Sequence, residues 1–347
     1  MGIGYGVFHD STTKPIELRI EGDEDAGEEE GLTSNRTKNE KRKEEVYVRE
    51  RLKEEGEGDV TISIVEENME PTIVHSEVPE AIKPQFASLY MCLSRIIDEE
   101  PDLRLRNAPI KFGPWDDRRK IGNEVIMFSR PARSRQRASV LLPNPYLMSH
   151  VFEDFTFASR HSSIPFERAS HSFFFRGDDG GSIIPRHNKR LVLCDAVRSE
   201  SDLCDCKLTE NVSLGPKDFD DLVRKRNLFD EESMSEDDWF QHRFIFDVDG
   251  LGSSSWNQFA NTLTAGRVSV RFESEFEEHW HCKTREGMEF LKCDRSNVLD
   301  VVRSVTEAES IDFASRGREF ARKNLTRSQI DRDVFLALLK WKEEFEM

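Results

Sequence analysis

The sequence lacks any apolar run approaching the ~18 residues of a membrane-spanning helix. Its N-terminus, MGIGYGVFHDSTTKP, has no basic-then-apolar leader. Read literally, the chain starts in the cytosol; a secretory-pathway lumen is expected only if the true N-terminus carries a signal. Positive charge is also short, with 50 Lys and Arg against 67 Asp and Glu and a net charge of −17. That balance excludes a protein that grips nucleic acid through its overall field, so any phosphate it binds must meet a local basic pocket. Cysteine is sparse. Six residues, at 92, 194, 204, 206, 282 and 293, exclude a disulfide-dense scaffold but leave room for one or two bridges in an oxidising compartment. No internal repeat is visible.

What is present is a chain of 347 residues, 37% hydrophobic and 34% charged, so a core requires the charge to be unevenly spread. It is. Residues 21–58 hold EGDEDAGEEE and then KNEKRKEEVYVRERLKEEGEG, which bury too little apolar surface to offset their ordering entropy. Residues 1–58 are therefore expected to be a disordered acidic extension. Beyond them, alternation in DVTISIVEE predicts a strand at 59–66, and Phe86, Leu89, Tyr90, Leu93 and Ile97 share one helical face. DLRLRN, EVIMFS, SFFFRG and RLVLCDA read as further strands. The second half gives a strand at 243–248, a helix over about 255–265, the strand RVSVRF, a helix near 275–281, the strand MEFLKC and then helices to the end. Strands alternating with helices predict an α/β fold with parallel sheets. Two such halves, 59–160 and 161–347, predict Rossmann-like domains facing a cleft, with ligand at the carboxyl ends of the strands.

Two stretches carry the chemistry. In IPFERASHSFFFRGDDGGSIIPRHNKR, a buried strand ends at Arg176 and Gly177. A loop with Gly180, Gly181 and Ser182 follows, and then Arg186, Lys189 and Arg190. Glycines allow close backbone approach and the cations can converge on an anion; a solvated basic turn is the equal alternative. In FIFDVDGLGSSSWNQF, Asp247 and Asp249 match the Asp-x-Asp-Gly pattern of haloacid-dehalogenase-type phosphatases, in which such a pair holds magnesium. That motif normally opens its domain, whereas here only about a hundred residues remain. Strand, Gly250, Gly252, Ser253, Ser254, Ser255 and then an amphipathic helix instead read as a strand, a loop and a helix N-terminus. Ser255 is the candidate N-cap, and the free amides suit a diphosphate. HWHC, residues 279–282, with Cys293 lacks the spacing of a closed zinc site. Cys204 and Cys206 read as free thiols or as one disulfide with Cys194.

Over roughly residues 60–345 the chain resembles the Rumi-like protein O-glucosyltransferases and fungal capsule-associated xylosyltransferases, glycosyltransferase family 90. EEPDLRLRN resembles the family's lPD strand, VIMFSR its PVFS strand and VLLPNPYLMSH its DIl.P segment. IPFERASHSFFFRG resembles (V/I)PWekr..kaffRG, RFIFDVDGLGSSSWNQFANTLTAGRVSV resembles KYl...dG...S.R...lL..gs.v, and FASRGREFARKNLTRSQIDRDVFLALLKWKEEF resembles the closing helices.

The resemblance implies a two-domain GT-B fold and an inverting, metal-independent transferase with no cofactor. Its donor would be UDP-glucose or UDP-xylose, and its acceptor a hydroxyl of a protein or glycan. Donor contacts would come from Arg176, Gly177, Ser182 and Arg186 in one loop and from Asp249, Gly250, Ser253, Ser254, Ser255, Trp256 and Asn257 in the other. Two departures stand out. Trp256 and Asn257 occupy the place where the family carries an arginine. Lys111 falls where it carries the aspartate base, so the nearest carboxylates, Asp116 and Asp117, are the expected bases. Glu277 or Glu278 would hold the donor's ribose. The competing expectations are a magnesium phosphohydrolase using Asp247 and Asp249, and a family member that binds without turnover.

Overall fold

Only two residues separate Glu67 from Glu70, and a connection that short can only reverse the chain. Accordingly β1 (Val60–Glu67) runs antiparallel to β2 (Glu70–His75). It is also antiparallel to β3 (Ile110–Gly113), which in turn is parallel to β4 (Val125–Met127). Where the sequence predicts parallel strands throughout, this four-stranded sheet is mixed, in the order β2-β1-β3-β4. The computed structural model describes residues 60–67, 70–75, 78, 83–99, 110–113, 125–127, 129–131, 140–148, 164–180, 182, 184–230, 236–250, 258–274 and 276–345. All of them belong to one compact unit. The expectations for residues 1–58 and for a strand at 102–107 lie outside these residues.

The predicted helix is α1 (Lys83–Glu99), with Phe86, Leu89, Leu93 and Ile97 buried. Next comes β5 (Ser129–Pro131). Three successive phenylalanines, 173–175, can all be buried only in a strand covered on both faces. They lie in β6 (Ser170–Gly177), the second strand of a five-stranded sheet. The other members are β7 (Cys204–Leu208), β8 (His242–Asp247), β9 (Val268–Phe272) and β11 (Phe290–Cys293), all parallel. The order is β7-β6-β8-β9-β11. In chain order this is the doubly wound pattern in which the second strand lies outside the first and the rest continue the other way. Phe173 stacks on Phe244 of β8 at 4.2 Å; burying each such ring contributes on the order of 2 kcal/mol.

Two local readings are corrected, and one alternative is resolved. RLVLCDA is not a strand but part of α2 (Lys189–Val197). Asn188 caps it by accepting the Leu191 N–H at 3.1 Å, and Leu191, Cys194 and Val197 bury at helical spacing. The strand comes later, as β7, whose alternate residues Cys204, Cys206 and Leu208 face the core. Cys194, Cys204 and Cys206 are therefore buried free thiols with no bridge, and burial pushes the Cys194 and Cys204 thiols up to about 12. The helix expected near 275–281 is instead β10 (Phe276–Glu278), antiparallel to β5, followed by a single 3-10 turn.

After β8 the chain crosses through α3 (Gln258–Thr264). It closes with α4 (Val298–Ser304), α5 (Glu307–Asn324) and α6 (Arg327–Phe345). Thr306 and Glu309 form a reciprocal capping box at the start of α5. α6 returns to α1, where Arg95 pairs with Asp331 through two hydrogen bonds of 2.9 and 2.7 Å.

Candidate functional site

In such a sheet the ligand crevice opens where the strand order reverses, because the crossovers leave the two central strands toward opposite sides. Here that point is between β6 and β8. Beyond their carboxyl ends run Gly177-Asp178-Asp179-Gly180 and Val248-Asp249-Gly250. The two turns touch. A β-carbon placed on Gly250 would lie 3.7 Å from Gly180 O and 3.0 Å from Arg190 Nη2, and one on Gly180 would lie 3.3 Å from Arg190 Nη1. The guanidinium of Arg190, in the first turn of α2, is thus lodged between both loops. It donates from Nη1 to Asp178 O at 3.2 Å and pairs with the Asp178 carboxylate.

A hydrogen-bonded frame fixes this geometry. Asp179 is fully buried, and its carboxylate accepts the amides of Val212, Ser213 and Leu214, the last two at 2.8 Å. A carboxylate that is charged and saturated with backbone donors is a strong fixture. Asn188, besides capping α2, donates to Asp179 O at 2.8 Å and to Ser182 O at 3.3 Å. Lys189 pairs with Glu273 just beyond β9 at 2.8 Å. The crevice is therefore bordered by two cation–carboxylate pairs.

Of the expected donor contacts, Gly177, Ser182, Asp249 and Gly250 border this crevice; Asp247 and Asp249 are buried at the end of β8. Ser182 Oγ accepts the Ile184 N–H at 3.2 Å. Arg186 is exposed on a 3-10 turn and makes no hydrogen bond or ion pair among the described residues. Arg176 is turned away, toward β7. It donates to Asp205 at 2.7 Å, to Asp230 at 3.0 Å and to Asp205 O at 3.0 Å, with its side chain 6% exposed. The guanidinium that faces the crevice is Arg190, which the sequence offers only as one cation of a run. Its signal in the sequence is Asn188 as an N-cap, with Lys189 and Arg190 in the first turn after it.

Glu278 is also committed elsewhere. Buried, it accepts Trp280 Nε1 at 2.8 Å, Asn144 Nδ2 at 3.3 Å and the His281 amide, which commits most of its acceptor positions within the protein. Glu277, on the alternate face of β10, is half-buried opposite Arg130. His281 Nδ1 accepts the Glu278 N–H at 2.8 Å, closing the same turn. Three further arginines divide by position. Arg243 and Arg267 lie at the amino edge of the sheet, donating to the carbonyls of Phe166 and Ala169 and of Phe240 and Ile164 respectively. Arg271 is at the carboxyl edge and donates to Phe276 O at 2.9 Å. Asp116, Asp117, Ser253, Ser254, Ser255, Trp256 and Asn257 lie outside the described residues.

Fold and crevice define a doubly wound α/β protein with a polar crevice at the switch point. No protein-family model matches the chain, and no curated protein matches it. Among solved structures it is similar to TarM (8% identity, TM-score 0.36, covering 50% of this chain and 37% of that one). It is similar to Alr3699/HepE of Anabaena in complex with UDP-glucose (10% identity, TM-score 0.35, 48% and 49% coverage). A third match is a glycosyltransferase of Rickettsia africae ESF-5 (8% identity, TM-score 0.38, 77% and 68% coverage). The chain spans less than half the length of the TarM and HepE chains.

Proposed function

We propose that the crevice between β6 and β8 binds the diphosphate of a UDP-sugar and that the chain is a glycosyltransferase of GT-B type. The observation that carries this reading is the lodging of Arg190 between Gly180 and Gly250, two turns that each leave a central strand of the sheet. When UDP leaves a sugar, negative charge grows on the bridging oxygen. A guanidinium and backbone amides held in place beforehand stabilise that charge without reorganising. In this reading Arg190 takes the role that the resemblance gives to Arg176, helped by Arg186, Ser182 and Gly250. Residues 59–160 present the acceptor.

The reaction is a single displacement that inverts the anomeric carbon. An acceptor hydroxyl oxygen bonds to that carbon, the bond to the UDP oxygen breaks, and the hydroxyl proton passes to Asp116 or Asp117. Glucose or xylose is transferred to a protein or glycan hydroxyl. No metal is required in this reading, because the leaving diphosphate is met by the held Arg190 guanidinium and by backbone amides.

Thermal unfolding of the full chain with UDP, UDP-glucose and UDP-xylose, each with and without EDTA, tests this. A ligand at a hundred times its dissociation constant adds about 2.7 kcal/mol, and EDTA should leave that gain intact. Indifference to all three, or a gain that EDTA removes, discards the reading. Transfer or hydrolysis of a UDP-sugar that Asp116→Asn or Asp117→Asn abolishes, with UDP binding retained, would assign the base. The buried carboxylates Asp247 and Asp249 favour one second reading, a magnesium phosphohydrolase, which predicts phosphatase activity abolished by chelator.

A further inference from the structure

One oxygen of the Asp178 carboxylate stands where a phosphate oxygen would. Asp178 Oδ1 accepts the Gly180 N–H at 2.7 Å and also meets Arg190 Nη1. A glycine-loop amide and a guanidinium are the two donors that a bound phosphate takes in such a turn. Its neighbour Asp179 cannot leave its place, being buried under three backbone amides. Asp178 can, since its side chain is 41% exposed and water is available to it. The rest of the Arg190 head points onward: Nη2 faces Gly250, and Nε is buried with no hydrogen bond among the described residues.

We propose that Asp178 is an internal stand-in for the ligand's phosphate. It holds Arg190 and the Gly180 amide in their binding positions while the crevice is empty and is displaced when an anion enters. This rests on the diphosphate reading above. The carboxylate then does two opposing things: it pre-positions the guanidinium, and it competes for it. An ion pair with one partner open to solvent is worth little, so the competition can be overcome by a diphosphate, which brings more charge and more acceptor oxygens. Asn at this position keeps an oxygen for the Gly180 amide and removes the competing charge, which separates the two effects.

The test is calorimetric titration of the full chain with inorganic pyrophosphate and with UDP, comparing wild type, Asp178→Asn and Asp195→Asn. Asp195 pairs with Arg226 and Arg198, so its substitution removes the same unit of charge from pairs outside the crevice. Asp178→Asn should bind both probes about fivefold more tightly, the size of one such ion pair, while Asp195→Asn matches wild type. Asp178→Ser, which also keeps a short oxygen acceptor, gives the same result if the asparagine variant does not fold. Binding by the Asp178 variant that equals or falls below wild type overturns the proposal and leaves the diphosphate reading standing. Absence of binding by wild type and variants alike overturns both.

Discussion

Arg190 Nη2 and Gly250 face each other so closely that a β-carbon on the glycine would stand 3.0 Å from the nitrogen. The obstruction is the far end of a flexible side chain, so Gly250→Ala should fold with a stability change under about 1 kcal/mol. Its effect falls on the position of the guanidinium. Loss of one charge-assisted hydrogen bond predicts roughly tenfold weaker UDP binding by titration calorimetry. Arg190→Lys should weaken binding similarly, because an ammonium cannot reproduce the planar fork. Wild-type affinity in both variants would remove Arg190 from the site.

Gly317 in α5 packs against Leu263 of α3, and a β-carbon there would come 2.7 Å from Leu263 Cδ2 and 3.4 Å from Glu289 O. Alanine gains about 1 kcal/mol of helix propensity. Leu263 is fully buried, and overpacking of this kind costs about 1–3 kcal/mol. Gly317→Ala should therefore be destabilising by about 1 kcal/mol, read as a lower urea midpoint at unchanged slope. A higher midpoint would show that helix propensity outweighs the clash.

How much of this was legible in the sequence depends on which residues had to meet. Phe173–Phe175 announce a buried strand by themselves, and Gly177, Gly180 and Gly250 announce turns, because a run of apolar residues and a missing side chain act locally. The destination of Arg176 does not. Its carboxylate partners lie 29 and 54 residues further along, one of them on β7, whose CDCKL is too short and mixed to read as a strand. Once that strand is unread, RLVLCDA fills the gap as a strand of its own, and the cap at Asn188 that brings Arg190 to the crevice goes unnoticed. Glu278 was misjudged in the same way. A carboxylate beside a sheet edge looks available until a buried indole N–H, which must be satisfied, claims it from two residues away.

Burial lowers the pKa of three histidines. His279 is lowered to about 4, by burial first and Lys283 after it, against the opposing pull of Asp333. Burial and Arg271 take His281 well below its usual value, consistent with its Nδ1 accepting a backbone N–H, and burial also lowers His242. In the unfolded chain these rings titrate near pH 6.5. Between about 6.5 and about 4 the unfolded state binds more protons than the folded one, so stability must fall as pH falls through that window. It is fully present above it. Melting temperatures measured from pH 7.5 to 4.5 should decline, and His279→Gln should flatten part of the decline. A flat wild-type profile would mean that the rings are protonated in the folded protein.

The clasp between α1 and α6 gives the last prediction. Arg95 meets both oxygens of Asp331 at 2.9 and 2.7 Å, and the Cys92 thiol donates to the same carboxylate at 3.1 Å. With side chains 19% and 10% exposed, the pair is mostly desolvated, so removing one partner strands the other. Breaking a buried pair costs about 3–5 kcal/mol; discounted for partial solvent access, Asp331→Ala should cost about 2–3 kcal/mol in chemical denaturation. Cys92→Ala should cost about 1 kcal/mol. Joint replacement of Arg95 by Met and Asp331 by Leu should recover most of the loss, because an apolar pair of similar volume needs no desolvation of charge. If the double variant is as unstable as Asp331→Ala, the ion pair itself, rather than the contact between the helices, holds α6 against α1.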